Sequence, residues 1–223
     1  YIALIRKALK DSGHENIPVI SLAMAGGLDE DNPGFDVLKP KFLMRAVYIL
    51  LYGDLLMQLL YRVRPYEAER GAADRLYASF NSRARVQLVH CSRKEFFRLC
   101  SDTIEAFDAL PLVNDRSKPR VGVVGEILVK FHPTANNELV RVIEEEGCEA
   151  NVPGLVDFFL YGFANPITGR HELGSSAATR AVHGTGIKLI ESIRGSIDKM
   201  LIKSERFEPY EPIMSLAEKA GRV

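Results

Sequence analysis

This sequence of 223 residues carries no net charge: 29 Lys and Arg stand against 29 Asp and Glu. A protein held to a nucleic-acid backbone shows a basic excess or stripe, so nucleic acid is not an expected partner. Cysteine is scarce, with Cys91, Cys100 and Cys148 making an odd count. Three thiols in this length form no secreted disulfide framework, and a reduced, cytoplasmic setting is the expectation. Long apolar runs are missing too. The longest in the most hydrophobic region lies between Arg45 and Asp54, far short of the roughly 20 residues that cross a bilayer. No membrane association and no signal peptide are expected. What remains is ordinary globular composition, 47% apolar and 26% charged, with room for one large domain or two small ones.

The common catalytic signatures are also lacking. There is no C-x-x-C, no H-E-x-x-H, no G-x-S-x-G and no G-x-x-x-x-G-K-[ST]. Gly122-x-x-Gly125 is not a G-x-G-x-x-G fingerprint, so neither a dinucleotide site nor a P-loop is indicated. On a shared helix, steps of about 100° would put Cys91 and Cys100 on opposite faces. Buried apolar cysteines are therefore the expectation, and metal ligation is not. His14, His90, His132, His171 and His183 are scattered. Arg62 and Arg64 end a long helical pattern, where the helix dipole accounts for two cations, although the pair could also hold an anion.

The patterns that are present alternate helix and strand. Ile2, Ile5, Ala8 and Leu9 mark one helical face that opens at Tyr1 without an initiator Met or capping residue. A piece of a longer polypeptide is expected. Gly13 closes that helix, and Ile17-Pro18-Val19-Ile20-Ser21-Leu22 reads as a buried parallel strand. A turn-rich loop, Gly26 to Phe35, leads to an apolar helix from Lys41 to about Arg64, which Pro65 ends. Residues 67–110 read as helical, with a capping box at Ser92 and Glu95 restarting the chain. The stretch around Pro111 and Pro119 is the best linker, dividing residues 1–112 from 119–223.

The second unit opens with a strand over Arg120–Val124 and a loop from Ile127 to Ala135. A helix from about Asn136 to Glu146, ended by Gly147, and a strand over Cys148–Pro153 follow. That order is a βαβ unit with parallel strands. Leu155 to Phe163 reads as an apolar helix, residues 164–178 as a loop, and the remainder as helices broken near Pro209 and Pro212.

One segment gathers chemistry. Gly125, Glu126, Lys130, His132, Asn136 and Asn137 lie where a strand's carboxyl end hands over to a helix, the edge at which open α/β sheets bind ligands. Gly125 lets backbone approach a ligand, Lys130 adds charge, and Asn136 and Asn137 add donors for an anion. Glu126 would then meet a neutral or cationic part of the ligand, or orient Lys130. The alternative is structural: Glu126 bonds backbone groups, the asparagines cap the helix, and Lys130 is solvated.

Several short motifs fall in a familiar order. Val121-Gly122-Val123-Val124-Gly125-Glu126-Ile127, Asn136-Asn137 and Val152-Pro153-Gly154-Leu155-Val156-Asp157-Phe158-Phe159 are joined upstream by Ile17 to Leu22, Asn32-Pro33-Gly34-Phe35, Tyr52-Gly53-Asp54-Leu55 and Arg64-Pro65-Tyr66-Glu67. Together they resemble the 2-hydroxyacyl-CoA dehydratase component family, and most of all its large bacterial activase-related (CoA-substrate-specific enzyme activase) relatives. The resemblance covers the chain up to about Phe163. It implies a Rossmann-like (flavodoxin-like) parallel sheet flanked by helices, with a largely helical insertion and a helical C-terminal part.

The resemblance further implies a lyase system of anaerobic bacteria. Water is eliminated from a 2-hydroxyacyl-CoA at a [4Fe-4S] cluster after an ATP-hydrolysing activase delivers an electron. The partners it implies are the other domains of the same polypeptide, including the ATP-dependent activase part, and an acyl-CoA substrate. No ATP motif or cluster-ligand cysteine of that system falls in this chain. The lobe alone is therefore expected to bind no cofactor and to be inactive, helping to position a cluster or CoA-type ligand in the parent protein. A non-catalytic docking or scaffold role for the activase partner is the alternative.

Overall fold

The computed structural model describes residues 2–19, 40–113, 118–168 and 176–220. The chain divides into two compact units, residues 1–43 and 44–223. The first contains helix α1, Ile2–Asp11. Gly13 ends it at φ 75°, with backbone bonds from Gly13 N to Lys10 O and from His14 N to Leu9 O. A left-handed residue just past the last turn satisfies carbonyls that the helix leaves open, and glycine takes that conformation without Cβ strain. Leu4 and Ile5 are exposed. Residues 17–19 are not in a strand, and the rest of the expected Ile17–Leu22 strand lies outside the described residues. So do the Gly26–Phe35 loop and the Asn32 to Phe35 motif.

The second unit is mostly helical. Helix α2, Pro40–Val63, enters it at Met44 and passes into a 3-10 turn, Arg64–Tyr66, where Pro65 removes a helical N–H donor. Helices α3, Ala72–Gln87, and α4, Arg93–Asp108, follow. The capping box before α4 forms as expected. Ser92 Oγ accepts from Glu95 N, and Ser92 N donates to the Glu95 carboxylate. Donation from the Ser92 hydroxyl, and then from Ser92 N, holds the Glu95 carboxyl below the usual range.

Strand β1, Arg120–Gly122, pairs in parallel with β2, Glu149–Asn151, with Val121 opposite Ala150. Between them lie helices α5, Ile127–Phe131, and α6, Leu139–Glu145. Helices α7, Leu155–Thr168, α8, Ala177–Leu201, and α9, Ile213–Ala220, complete the chain. The fold is thus mixed α/β, mostly helical, with a small two-stranded parallel sheet among the described residues.

Two local expectations are corrected. The stretch from Ile127 begins as helix α5, because Glu126 accepts a hydrogen bond from Val129 N and caps it. Residues 164–168 continue α7 instead of starting a loop, since Ala164 packs in the core at 2% exposure.

Helix α2 is the spine of the main core. Leu51, Tyr52, Leu55, Leu56, Leu59 and Val63 are buried with Phe96, Leu99, Leu160 and Ile197, which come from α4, α7 and α8. Leu50 is only half-buried. The core therefore draws on both sides of the 111–119 stretch, of which residues 114–117 lie outside the described residues. Tyr48 stacks on Phe96 with centroids 4.2 Å apart, and buried Tyr52 bonds Thr103 through their hydroxyls at 2.9 Å.

By length and composition, Pro40–Tyr66 is long and apolar enough to cross a membrane, alone among the described helices. Counting uninterrupted apolar runs missed this, because Arg45, Asp54 and Arg62 are its only charges beyond Lys41 and Arg64. Much of its apolar surface is turned inside: Asp54 and eight apolar residues of α2 are buried in the protein.

Candidate functional site

Two sequence-distant motifs meet at the start of α7. Asp54, the charged residue in the apolar run of α2, is 6% exposed. Its carboxylate accepts from Leu155 N at 2.9 Å and Val156 N at 2.8 Å, filling two of the four N–H groups that a helix start leaves open. Burial pushes the Asp54 carboxyl up, and these two N–H groups oppose the shift. Gly154 makes room for it. A Cβ there would lie 2.7 Å from Asp54 Cγ and closer still to Oδ2. Gly154→Ala must push this carboxylate off its two donors, and a loss on the order of 1–3 kcal/mol in denaturant melts is expected. An unchanged midpoint would show that the turn gives way instead.

A cavity of about 360 Å³ runs along β2 and past its carboxyl end, lined by Leu59, Arg62, Arg120, Glu149, Asp157, Arg194, Glu208 and Tyr210, with Leu201, Phe207 and Leu216 as apolar wall. Its floor is Arg194, 4% exposed. Arg194 Nη2 lies 2.6 Å from Asp157 Oδ1, an ion-pair contact whose angles fall short of a hydrogen bond. The guanidinium packs on the Tyr210 ring with its carbon 4.0 Å from the centroid. Arg194 Nε and Nη1 and the Tyr210 hydroxyl have no hydrogen-bond partner among the described residues. Burial drives the Tyr210 hydroxyl well above its ordinary range.

The other wall is built on Glu149, whose side chain is 5% exposed. Arg62 Nη1 donates to both its oxygens at 2.5 and 2.6 Å, Arg120 Nε at 2.9 Å and the Tyr66 hydroxyl at 2.9 Å. Arg62 Nε donates to Arg206 O at 3.1 Å. A buried carboxylate survives only with such partners, which here come from α2, the 3-10 turn and β1. The Arg64-Pro65-Tyr66-Glu67 motif is thus a structural joint. Arg64 bonds Glu144 and Asp74, Tyr66 bonds Glu149, and Glu67 accepts from Gly71 N and Ala73 N at the start of α3.

The candidates Gly125, Glu126, Lys130, Asn136 and Asn137 sit beside this cavity's loop and do not line it. Gly125 has φ 147° and Asn137 φ 56°, both on the positive side. Glu126 caps α5. Asn136 Nδ2 donates to Val129 O and Lys130 O, and its Oδ1 accepts from Leu139 N at 3.2 Å. Glu126, Lys130 and Asn136 therefore gather in one α5–α6 turn, with Glu126 and Asn136 both engaged by backbone. Lys130 reaches furthest: Nζ donates to Pro153 O at 3.0 Å, in the cavity's own loop. Burial lowers its ammonium, against the pull of Asp157 and Asp54.

No motif or spacing in the sequence points to Glu149, Arg194, Glu208 or Tyr210. Asp54 and Asp157 appear in sequence only within the Tyr52–Leu55 and Val152–Phe159 motifs, which give neither a role. Cys100 is sealed in the core with its thiol pushed up by burial, and Cys91 and Cys148 are half-buried. Among the described residues no three His, Cys, Asp or Glu side chains group as a metal site.

These features define a class no narrower than a mostly helical α/β chain with a parallel β1–β2 pair and a polar-walled cavity beside it. No family model, curated protein or solved structure matches the chain.

Proposed function

We propose that this chain is a Rossmann-like lobe of a 2-hydroxyacyl-CoA dehydratase/activase-related protein, helping to hold a CoA-type ligand or an iron–sulfur cluster and inactive by itself. The observation that carries this reading is the cavity that runs along β2 and past its carboxyl end, with Arg62, Arg120 and Arg194 in its walls. Ligands in α/β folds bind outside the carboxyl ends of parallel strands, and a CoA-type molecule brings phosphates that suit guanidinium groups. The ordered motifs from Tyr52 to Phe159 support the family assignment, and two of them meet physically where Asp54 caps α7 beside Gly154. A cluster in the parent protein would take its thiolates from outside this chain. Its working partners would be the other domains of that polypeptide, including the ATP-dependent activase part.

The second reading, a non-catalytic docking or scaffold domain for the activase, is favoured by Glu126 and Asn136, whose polar atoms are spent on caps. Titration of the protein with an acyl-CoA separates the two. Micromolar binding is expected on the ligand-holding reading, and its absence supports the scaffold. Comparing wild type with Asn136→Ala/Asn137→Ala then asks whether the 125–137 segment contributes. An affinity unchanged in that variant, with the fold intact, assigns both residues to the α6 entry alone.

A further inference from the structure

The wall of the cavity contains two carboxylates that share the same pair of arginines. Arg62 and Arg120 share buried Glu149, which leaves this group of three with one positive charge in excess. Glu208 supplies the balance. Arg120 Nη1 and Nη2 donate to its two oxygens at 3.2 and 3.1 Å, and Arg62 Nη2 lies 3.6 Å away. These bonds from Arg120 hold the Glu208 carboxyl below the usual range.

Glu149 and Glu208 nevertheless differ in kind. Glu149 is buried and accepts from three side chains. The side chain of Glu208 is 65% exposed, and Glu208 stands on the non-helical stretch 202–212 between α8 and α9. Such an exposed pair contributes little and gives way to a better anion.

We infer that the cavity is a binding site for a phosphate-bearing ligand, most simply a diphosphate ester, whose phosphate oxygens replace Glu208 on Arg62 and Arg120. A free monocarboxylate would lose to Glu208, which is tethered beside the same arginines at an effective concentration of about millimolar or more. A diphosphate overcomes the tether because it brings more charge and enough oxygens to meet two guanidinium forks at once. The organic part of the ligand then lies between Leu59, Leu201, Phe207 and Leu216. Arg194 lines the same cavity and places a third guanidinium beside that part. Displacement leaves the anchors of the stretch in place, since Tyr210 N donates to Asp198 and Ile213 N to Glu191 independently of Glu208.

This inference rests on the ligand-holding reading of the same cavity and deepens it by naming the anion and the carboxylate that it displaces. Its probe is accordingly inorganic pyrophosphate, whereas the family reading is tested with acyl-CoA. Calorimetric titration of the 223-residue chain with pyrophosphate is expected to show binding that Glu208→Gln tightens about threefold to tenfold. Glu205→Gln removes the same charge from the same exposed stretch and is expected to leave the affinity near wild type. Arg120→Gln is expected to weaken binding about tenfold or more, with melting curves confirming the fold. The proposal is overturned if pyrophosphate binds neither wild type nor Glu208→Gln. It is equally overturned if Glu208→Gln gains no more than Glu205→Gln, because the effect would then be net charge alone.

Discussion

Glu149→Ala is expected to cost about 3–5 kcal/mol of stability, the range for removing one partner of a buried charge cluster. The carboxylate is the common acceptor for Arg62, Arg120 and the Tyr66 hydroxyl, which reach it from three different elements. Deleting it leaves two guanidinium groups crowded together with only exposed Glu208 between them, and leaves a buried hydroxyl without an acceptor. Urea melts of wild type and variant at neutral pH measure the loss directly. Glu149→Gln keeps the volume and one acceptor oxygen, so a smaller loss is expected there. A cost below about 1 kcal/mol for Glu149→Ala would mean that Arg62 and Arg120 find solvent as readily as they find Glu149.

Leu55→Ala is expected to cost on the order of 2–5 kcal/mol. Leu55 is 0% exposed at the middle of α2, in the cluster joined by residues of α4, α7 and α8. Its neighbours Leu51, Leu56 and Leu59 are each 2% exposed or less, so the cavity left behind has few ways to collapse. Ile49, 48% exposed on the same helix, is the internal comparison: Ile49→Ala should change stability far less. A loss under about 1 kcal/mol at Leu55 would identify α2 as a surface that packs against a partner instead of as a core helix.

The contrast between these two residues shows what could be read in advance. Leu55 lies in a run that is apolar on most of its circumference, and such a helix buries most of its faces. Its burial follows from composition and period. Glu149 follows Cys148 in a short extended stretch that shows nothing unusual in sequence. Its importance comes from where Arg62 and Arg120 happen to arrive, 87 and 29 residues away.

The candidate site divides along the same line. The 125–137 segment was visible because its polar residues lie close together in sequence. Closeness of that kind favours local bonds, and Glu126 and Asn136 do cap the turns of their own segment. The cavity wall is instead assembled from Arg62, Glu149, Arg194 and Glu208, one each from α2, β2, α8 and the stretch before α9.

By itself the sequence determined what depends on neighbours along the chain. It set the α1 stop at Gly13, the capping box at Ser92 and Glu95, the end of α2 at Pro65, and the parallel β1–β2 pairing across a helical crossover. Each of these is decided by backbone dihedrals, by a side chain reaching its own helix end, or by the handedness of a short crossover. Tertiary structure alone decided where the buried charges find partners. Asp54 meets the start of α7 across about a hundred residues, Arg194 meets Asp157 and Tyr210, and Glu149 gathers two arginines and a tyrosine. The physical reason is that burying a charge is costly unless an opposite charge or a donor arrives in three dimensions, and no local pattern records which distant residue that will be.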